Sequence, residues 1–383
     1  MPGKRLTISD IARLAGVSKA TVSRVLNQKP DVDPVTRERI LRLVEERGFV
    51  KSATAAGLAG GRSNMFGMLV RSHTWLFVLE IMRAVSDIVD ETSYELILYR
   101  MNDEFPEHDR SHAINRLLAT NVASGLLAIF PGPSCEHLAP LSEQGFPLVV
   151  IDDEYLLNEK SWTGEPIPWL TVNHRTGAYA ATRHLIDHGH RRIAHIQGTM
   201  SYLCARERYQ GYCQALEDAG LPLDPALVVE GDFLVDGGRA AAHTLFSLPL
   251  KQRPTAIFAS SDLMAYGVLA TASEYGIDIP KDVALIGFDN LAEASKDLMS
   301  LVQVHPPLTS VAQPFYDMGR YATELLLALL ETQYAPEYRQ NGWPLPLDLL
   351  SPSIGGTYQE IGGLTRLLFP THLVIRTTCG CVR

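Results

Sequence analysis

Residues 7–27 read TISDIARLAGVSKATVSRVLN. The hydroxyl of Thr7 stands three residues before the carboxylate of Asp10, the spacing of a capping box that opens a helix. Ile8, Ile11, Ala12 and Ala15 then repeat at helical spacing, and Gly16 lets the chain turn out of the helix. Ser18 is a good N-cap for a second helix from Lys19 to about Leu26, with Ala20, Val22 and Val25 as its apolar contacts. A helix, a glycine-containing turn and a short helix opening on small polar residues make a helix-turn-helix.

Working outward, Asp33-Pro34 starts a third helix, with Asp as the cap and Pro at the first helical position. Ile40, Leu41, Leu43 and Val44 supply its buried stripe, and Gly48 ends it. Residues 1–50 are thus a three-helix head. With the second helix in a major groove, Lys19 and Ala20 face base edges, while Ser18, Thr21 and Ser23 donate to phosphate oxygens. Arg24 reaches a guanine or a phosphate. Spacing alone leaves open a plain three-helix bundle whose arginines are only solvated.

Charge favours the first reading. Residues 1–62 hold twelve Lys and Arg against six Asp and Glu, a net of +6, whereas the remainder carries −15 and the whole chain −9. A basic head on an acidic body directs only the head to a polyanion. At 383 residues and 46% apolar content the chain reads as a soluble globular protein of two or three domains. No stretch reaches the roughly 18–20 apolar residues of a membrane span. No signal peptide precedes the head, so the expected location is cytoplasmic, with no membrane partner. Cys135, Cys204, Cys213, Cys379 and Cys381 form no regular framework and read as reduced thiols. Cys379-Gly380-Cys381 could hold a soft metal, and His184, His188 and His190 cluster at a helix end. The plainer reading of the histidines is a helix C-terminus complemented by imidazoles, so no metal and no cofactor are assigned.

From Met65 onward, apolar strands alternate with amphipathic helices. Strands are expected at 66–70, 94–99, 125–130 and 147–152, with a helical stripe of Leu76, Leu79, Met82, Val85, Ile88 and Val89 and a helix around 113–118. After LTVN (170–173), a second series places helices at 175–188, 203–219, 236–247 and 262–275 and strands at 192–196, 227–231, 255–260 and 283–289. This alternation means α/β architecture with parallel sheets, in two lobes with a ligand cleft between them. An enzyme is disfavoured: there is no glycine-rich phosphate fingerprint after the first strand, no G-x-S-x-G elbow, no HExxH and no paired CxxC.

The motif at 7–27, followed by VDPVTRERILRLVEERGF (32–49), closely resembles the head of the lactose/galactose-repressor family of bacterial transcription regulators. The resemblance extends through HLIDHGHRRIAHIQG (184–198), RERYQGYCQAL (206–216), TAIFASSDLMAYGVL (255–269), IPKDVALIGFDN (279–290) and PPLTSVAQPFYDMG (306–319). These islands are similar to the family's ligand-binding lobes, whose fold is that of periplasmic sugar-binding proteins. It implies a homodimer, each head reading half of a near-palindromic operator, and a sugar as small-molecule effector. Thr7 and Asn27 join the DNA-facing set. Arg208 matches the family's effector-reaching arginine, Asp289 the aspartate that accepts from sugar hydroxyls, and Phe233 an aromatic that stacks on the ligand ring. Asp152, Ser261, Asp262, Gln313 and Phe315 lie on or beside further matching positions. A carboxylate that takes vicinal hydroxyls beside a guanidinium that donates to ring oxygens is sound sugar chemistry.

The linker KSATAAGLAGGRSN (51–64) matches a short helix that forms on DNA and inserts a leucine, here Leu58, into the minor groove, with Ala55 beside it. It is too short to stand alone in water, and Gly57 weakens it further. Departures from the family pattern are Trp75 in place of an asparagine, Asn173-His174 in place of Asp-Asn, and Ser261 in place of an asparagine. Trp75 is either a further stacking surface or an interface residue. About 35 residues, 332–366, form an insertion expected on the C-terminal lobe. The domains are therefore a head (1–50), a linker (51–63) and a two-lobed body (64–383). The function expected is a repressor released from its operator by a sugar. The alternatives are a corepressor-type regulator, a solute-binding protein without DNA function, or a sugar-processing enzyme.

Overall fold

A computed structural model describes residues 6–26, 29–47, 49, 63–71, 75–101, 122–131, 138–151, 167–294, 306–333, 357–361 and 364–381. It divides into two compact units, Met1–Asn64 and Met65–Arg383. In the first unit, α1 (Ile8–Ala15), α2 (Lys19–Leu26) and α3 (Pro34–Glu46) surround Ile11, Ala12, Ala15, Val22, Val25, Ile40 and Phe49. The capping box is built: Thr7 Oγ1 accepts from the Asp10 amide at 3.3 Å, and Asp10 Oδ2 accepts from the Thr7 amide at 3.0 Å. Gly16 takes the left-handed conformation, φ 64°, that ends α1. Asp33 caps α3 through the Thr36 amide at 2.9 Å.

Three expectations for the head are corrected. Leu41 is 47% exposed, because the inward face of α3 is centred on Ile40, and Phe49 closes that side of the core. Ala20 is exposed, so α2 packs through Val22 and Val25, with Leu26 partly buried against the same core. The helix end expected at Gly48 falls at Glu46 with Arg47 as its cap, and Gly48 itself lies outside the described residues.

The second unit holds two sheets. The first contains β1 (Met65–Arg71), β2 (Glu95–Met101), β3 (Leu126–Ile129), β4 (Leu148–Ile151) and β5 (Pro168–Val172), together with β11 (Thr357–Ile361) and β12 (Leu364–Phe369). The second contains β6 (Ile193–Gln197), β7 (Val228–Glu230), β8 (Ala256–Ala259), β9 (Ala284–Asp289), β10 (Thr309–Ala312) and β13 (His372–Val374). The orders are β11-β12-β5-β4-β3-β1-β2 and β13-β10-β9-β8-β6-β7. All neighbours are parallel except the edge pairs β11/β12 and β10/β13. The inner parallel strands β3, β4, β5, β6, β8 and β9 are buried throughout and read as largely apolar runs, whereas the edge strands β2 and β7 are partly exposed.

The helices of this unit are α4 (Trp75–Val89), α5 (Ala139–Glu143), α6 (His174–Asp187), α7 (Leu203–Asp218), α8 (Val235–Phe246), α9 (Asp262–Glu274), α10 (Leu291–Ala294) and α11 (Phe315–Gln333). On α4 the buried stripe is Val78, Ile81, Ala84 and Val85. Leu79, expected to be buried, is 41% exposed because α4 carries more apolar residues than one face can hide. The helix expected around 113–118 lies outside the described residues.

The insertion is also corrected. Its described residues 357–361 and 364–366 belong to β11 and β12, which extend the N-terminal lobe's sheet from β5 rather than decorating the C-terminal lobe. Leu367 and Phe369 then enter the same core as Phe66, Val78, Phe315 and Met318, and that burial sets the strand's lobe. Among the described residues the chain passes between the lobes three times: between β5 and α6, between β10 and α11, and between β12 and β13. The first and third passages are bonded together, the Asn173 amide donating to the Phe369 carbonyl at 2.9 Å.

Candidate functional site

On the head, the polar face of α2 is assembled as the sequence suggests. Ser18, Lys19, Ala20 and Arg24 are exposed, and Thr21 and Ser23 are half-buried. Ser18 Oγ accepts from the Thr21 amide at 3.1 Å and shares a hydrogen bond with its hydroxyl at 2.8 Å, so both hydroxyls are held at the start of the helix. Arg24 pairs with Asp31 at 3.4 Å with both side chains more than half exposed, an ion pair that yields readily to a phosphate. Thr7 spends its hydroxyl within the capping box, donating to Asp10 Oδ2 at 2.7 Å. Asn27, Ala55 and Leu58 lie outside the described residues.

In the body, several predicted residues converge where β9 ends. Gly211 lets α6 and α7 approach: a Cβ there would sit 2.3 Å from the Arg175 carbonyl. That close packing delivers Arg208 from α7 into the interior, 1% exposed. Its Nη1 lies 3.7 Å from Asp289 Oδ1 and donates to the Ser260 carbonyl. Its guanidinium lies 3.8 Å above the Phe288 ring and 5.7 Å from Phe233. Asp289 is 3% exposed and accepts from Gln313 Nε2 at 2.7 Å. At Asp289 and Asn290 the chain adopts φ 111° and 56°, a turn that aims the carboxylate across the strand ends.

Phe233, half-buried with φ 68°, lays its ring over Gly198, where a Cβ would meet ring carbons at 2.0–2.5 Å. Ser261 caps α9 through the Met264 amide at 3.2 Å and donates to the Phe233 carbonyl at 3.2 Å, fixing the aromatic's backbone. Asp262 is buried beneath, accepting from the Ser310 hydroxyl at 2.6 Å and the Leu291 amide at 2.8 Å. Burial pushes its carboxyl up to about 7 against the lowering effect of those two donors. Gly287 makes the room, since a Cβ there would fall 2.2 Å from Asp262 Oδ1. Phe315 departs from the cluster: it is 2% exposed in the first-lobe core, edge-on to Phe130 at 6.4 Å. Asp152 lies outside the described residues, and only the backbone of Trp75 is described, at the start of α4.

The sequence reading names His174 only as a departure from the family pattern and gives it no place in the effector set. It is the first residue of α6, 1% exposed, with Nδ1 3.2 Å from Arg208 Nη2. Burial, then the Arg208 and Arg366 charges, hold its pKa well below the usual histidine range, so it is neutral. Nδ1 therefore accepts from the guanidinium. The available signal was its place directly after the Asn173 cap, opposite the helix that carries Arg208. His195 is also neutral, its pKa lowered to about 3 chiefly by burial, and stacks between Tyr212 and Phe258. The cluster thus combines a carboxylate, a guanidinium, a carboxamide, a neutral imidazole and an aromatic face, and the charges of Arg208 and Asp289 cancel. Away from this cleft, His184, His188 and Cys381 bring their ligand atoms within 4.8 Å of one another. Among the described residues, no helix is long and apolar enough to cross a membrane.

Comparison with known proteins gives the following. The profile of bacterial regulatory proteins, lacI family, matches residues 7–52, and that of a periplasmic binding protein-like domain matches residues 182–346. The catabolite control protein A of Priestia megaterium is 35% identical over 322 residues, 84% of this chain and 91% of that protein. The HTH-type transcriptional repressor PurR of Vibrio atlanticus is 34% identical over 324 residues, with coverage of 84% and 91%. Among solved structures, the complex of the transcriptional regulator CelR with cellobiose shares 28% identity at a TM-score of 0.63, covering 98% of this chain and 100% of its own. The lac repressor dimer bound to operator and the anti-inducer ONPF shares 24% identity at a TM-score of 0.75, covering 98% and 99%.

Proposed function

Because the chain belongs to the lacI family of bacterial regulatory proteins, DNA-binding transcriptional repressors regulated by small molecules, we propose that its effector is a neutral sugar that releases it from a near-palindromic operator as a homodimer. The observation that carries the sugar reading is the buried Arg208–Asp289–Gln313 cluster beside the Phe233 ring. Its charges are already balanced and His174 is neutral, so a charged ligand would leave an uncompensated charge in a buried site. A polyhydroxylated ring exchanges hydroxyl for hydroxyl and offers an apolar face to the aromatic. The CelR complex, whose ligand is cellobiose, supports the same chemistry.

The DNA reading rests on the exposed face of α2 and on the +6 charge of residues 1–62. The switch is two-state: a sugar shifts operator affinity only through its different affinity for two lobe arrangements. The chain has no residue assigned to catalysis, and a bound sugar is expected to be recovered unchanged. Thermal-shift screening of a sugar panel, followed by gel shifts on a palindromic operator library with each hit, tests the whole reading. A hit that loosens the DNA complex supports induction, whereas one that tightens it means corepression. Operator binding that no sugar affects would remove the effector assignment and leave the repressor intact.

A further inference from the structure

The second lobe carries a cluster that neither DNA nor effector binding uses. His184 and His188 are one helical turn apart at the end of α6, so both imidazoles project from one face, with ring centroids 4.3 Å apart. Across from them, residues 376–381 are fixed by the rest of the lobe. The Leu285 amide donates to the Thr378 carbonyl at 2.8 Å, the Thr309 amide to Thr378 Oγ1 at 2.8 Å, and Cys379 is buried in the core. Gly380, at φ 74°, then turns the chain so that Cys381 Sγ comes 3.0 Å from His184 Nε2. These two residues are 197 positions apart in the sequence.

We propose that His184, His188 and Cys381 bind a borderline-soft divalent cation, with Zn2+ as the test case and water in the fourth position. Two imidazoles and a thiolate are a donor set for such ions. A tetrahedral zinc places neighbouring N and S ligands about 3.3–3.6 Å apart. The three ligand atoms lie within 4.8 Å of one another, so binding requires them to draw together by about 1 Å. His188 Nδ1 also bonds the His184 carbonyl at 2.7 Å, which assigns the proton to Nδ1 and leaves the Nε2 lone pair for a metal. Orientation of a ligand imidazole by a backbone carbonyl is the usual support at metal sites. His190, third in the run, turns away to Thr255 at 3.0 Å and is not part of the set. On binding, the Cys381 thiol and any protonated imidazole release their protons to solvent, so affinity rises with pH.

The test uses the full chain, reduced and stripped with a chelator, titrated with Co2+ and then challenged with Zn2+. The expected result is one equivalent bound at micromolar affinity or tighter, with a tetrahedral visible spectrum, an ultraviolet thiolate-to-metal band, and displacement by Zn2+. Cys381→Ser should erase the thiolate band, and His188→Ala should weaken binding at least about tenfold. Because His188 is exposed, His188→Ala should keep the metal-free melting temperature of the parent. Absence of the thiolate band in the parent chain, or unchanged binding in His188→Ala, would overturn the assignment.

Discussion

Asp289 is the residue on which the proposed effector chemistry converges. Its carboxylate faces a buried guanidinium at 3.7 Å and a carboxamide donor at 2.7 Å. Asp289→Asn keeps the shape and an acceptor for Gln313 but leaves Arg208 buried without a counter-charge, a change that costs about 3 kcal/mol. Denaturant melts should show that loss, and gel shifts should show an operator complex that sugar no longer releases. Gly198→Ala acts more selectively. The new methyl would occupy the space of the Phe233 ring, 2.0 Å from its far carbon, so the ring must swing away while the strand stays in place. Sugar affinity measured by calorimetry should fall about tenfold, the loss of one stacking contact of about 1–1.5 kcal/mol.

His195 gives a pH signature. Unfolded, it takes up a proton near pH 6.5, whereas in the fold burial lowers its pKa to about 3. Between those values the unfolded chain binds more protons, so body stability falls as pH drops from about 6.5 toward 3 and returns as pH rises. His195→Phe should flatten that slope by up to about 1.4 kcal/mol per pH unit, read from urea melts at several pH values.

At the scale of elements, the α6–α7 contact sets the position of Arg208. Gly211→Ala places a methyl against backbone, 2.3 Å from the Arg175 carbonyl and 2.8 Å from the Tyr179 amide, where no side chain can yield. The helices must separate, at about 1–3 kcal/mol, and thermal melts and sugar binding should fall together. In the head, Arg24 and its exposed partner Asp31 contribute little to stability. Arg24→Ala should therefore leave the head's melting unchanged and weaken operator binding, as measured by gel shift at fixed salt.

The helix ends were legible because capping is local: Thr7 to Asp10 and Asp33 to Thr36 each span three residues. Arg208 and Asp289 were legible only through the family resemblance, and their physical cause, Gly211 and the turn at Asp289, appeared with the packing. Leu79 was misassigned because an apolar surplus on α4 blurs the phase of its stripe, and Leu41 because the inward face of α3 is centred on Ile40. His174 was left out of the effector set because its role exists only once α6 faces α7. The lobe of β12 and the meeting of Cys381 with His184 depend on pairings across the whole chain, which no local pattern encodes.

Over the whole molecule, the charge segregation has a direct consequence. Operator affinity should fall steeply with salt while affinity for the proposed sugar hardly changes, because only the +6 head offers charge to phosphates and the cluster proposed to take the sugar is buried, with Arg208 paired to Asp289. Titrations of both ligands across a salt series would show this divergence. The three passages between the lobes add a mechanical one. Asn173 and His174 lie on the first, Gln313 on the second and Thr371 on the third, where its hydroxyl bonds back to the Asn173 carbonyl at 3.4 Å. His174 touches Arg208 and Gln313 holds Asp289, so the passages between the lobes and the proposed ligand site share residues. A ligand bound where we propose would push at the fulcrum rather than at the far end of a lever. In the proposed switch, sub-ångström displacements there would be geared up along each lobe, and substitutions beside the site should tune the gain of the switch as well as its threshold.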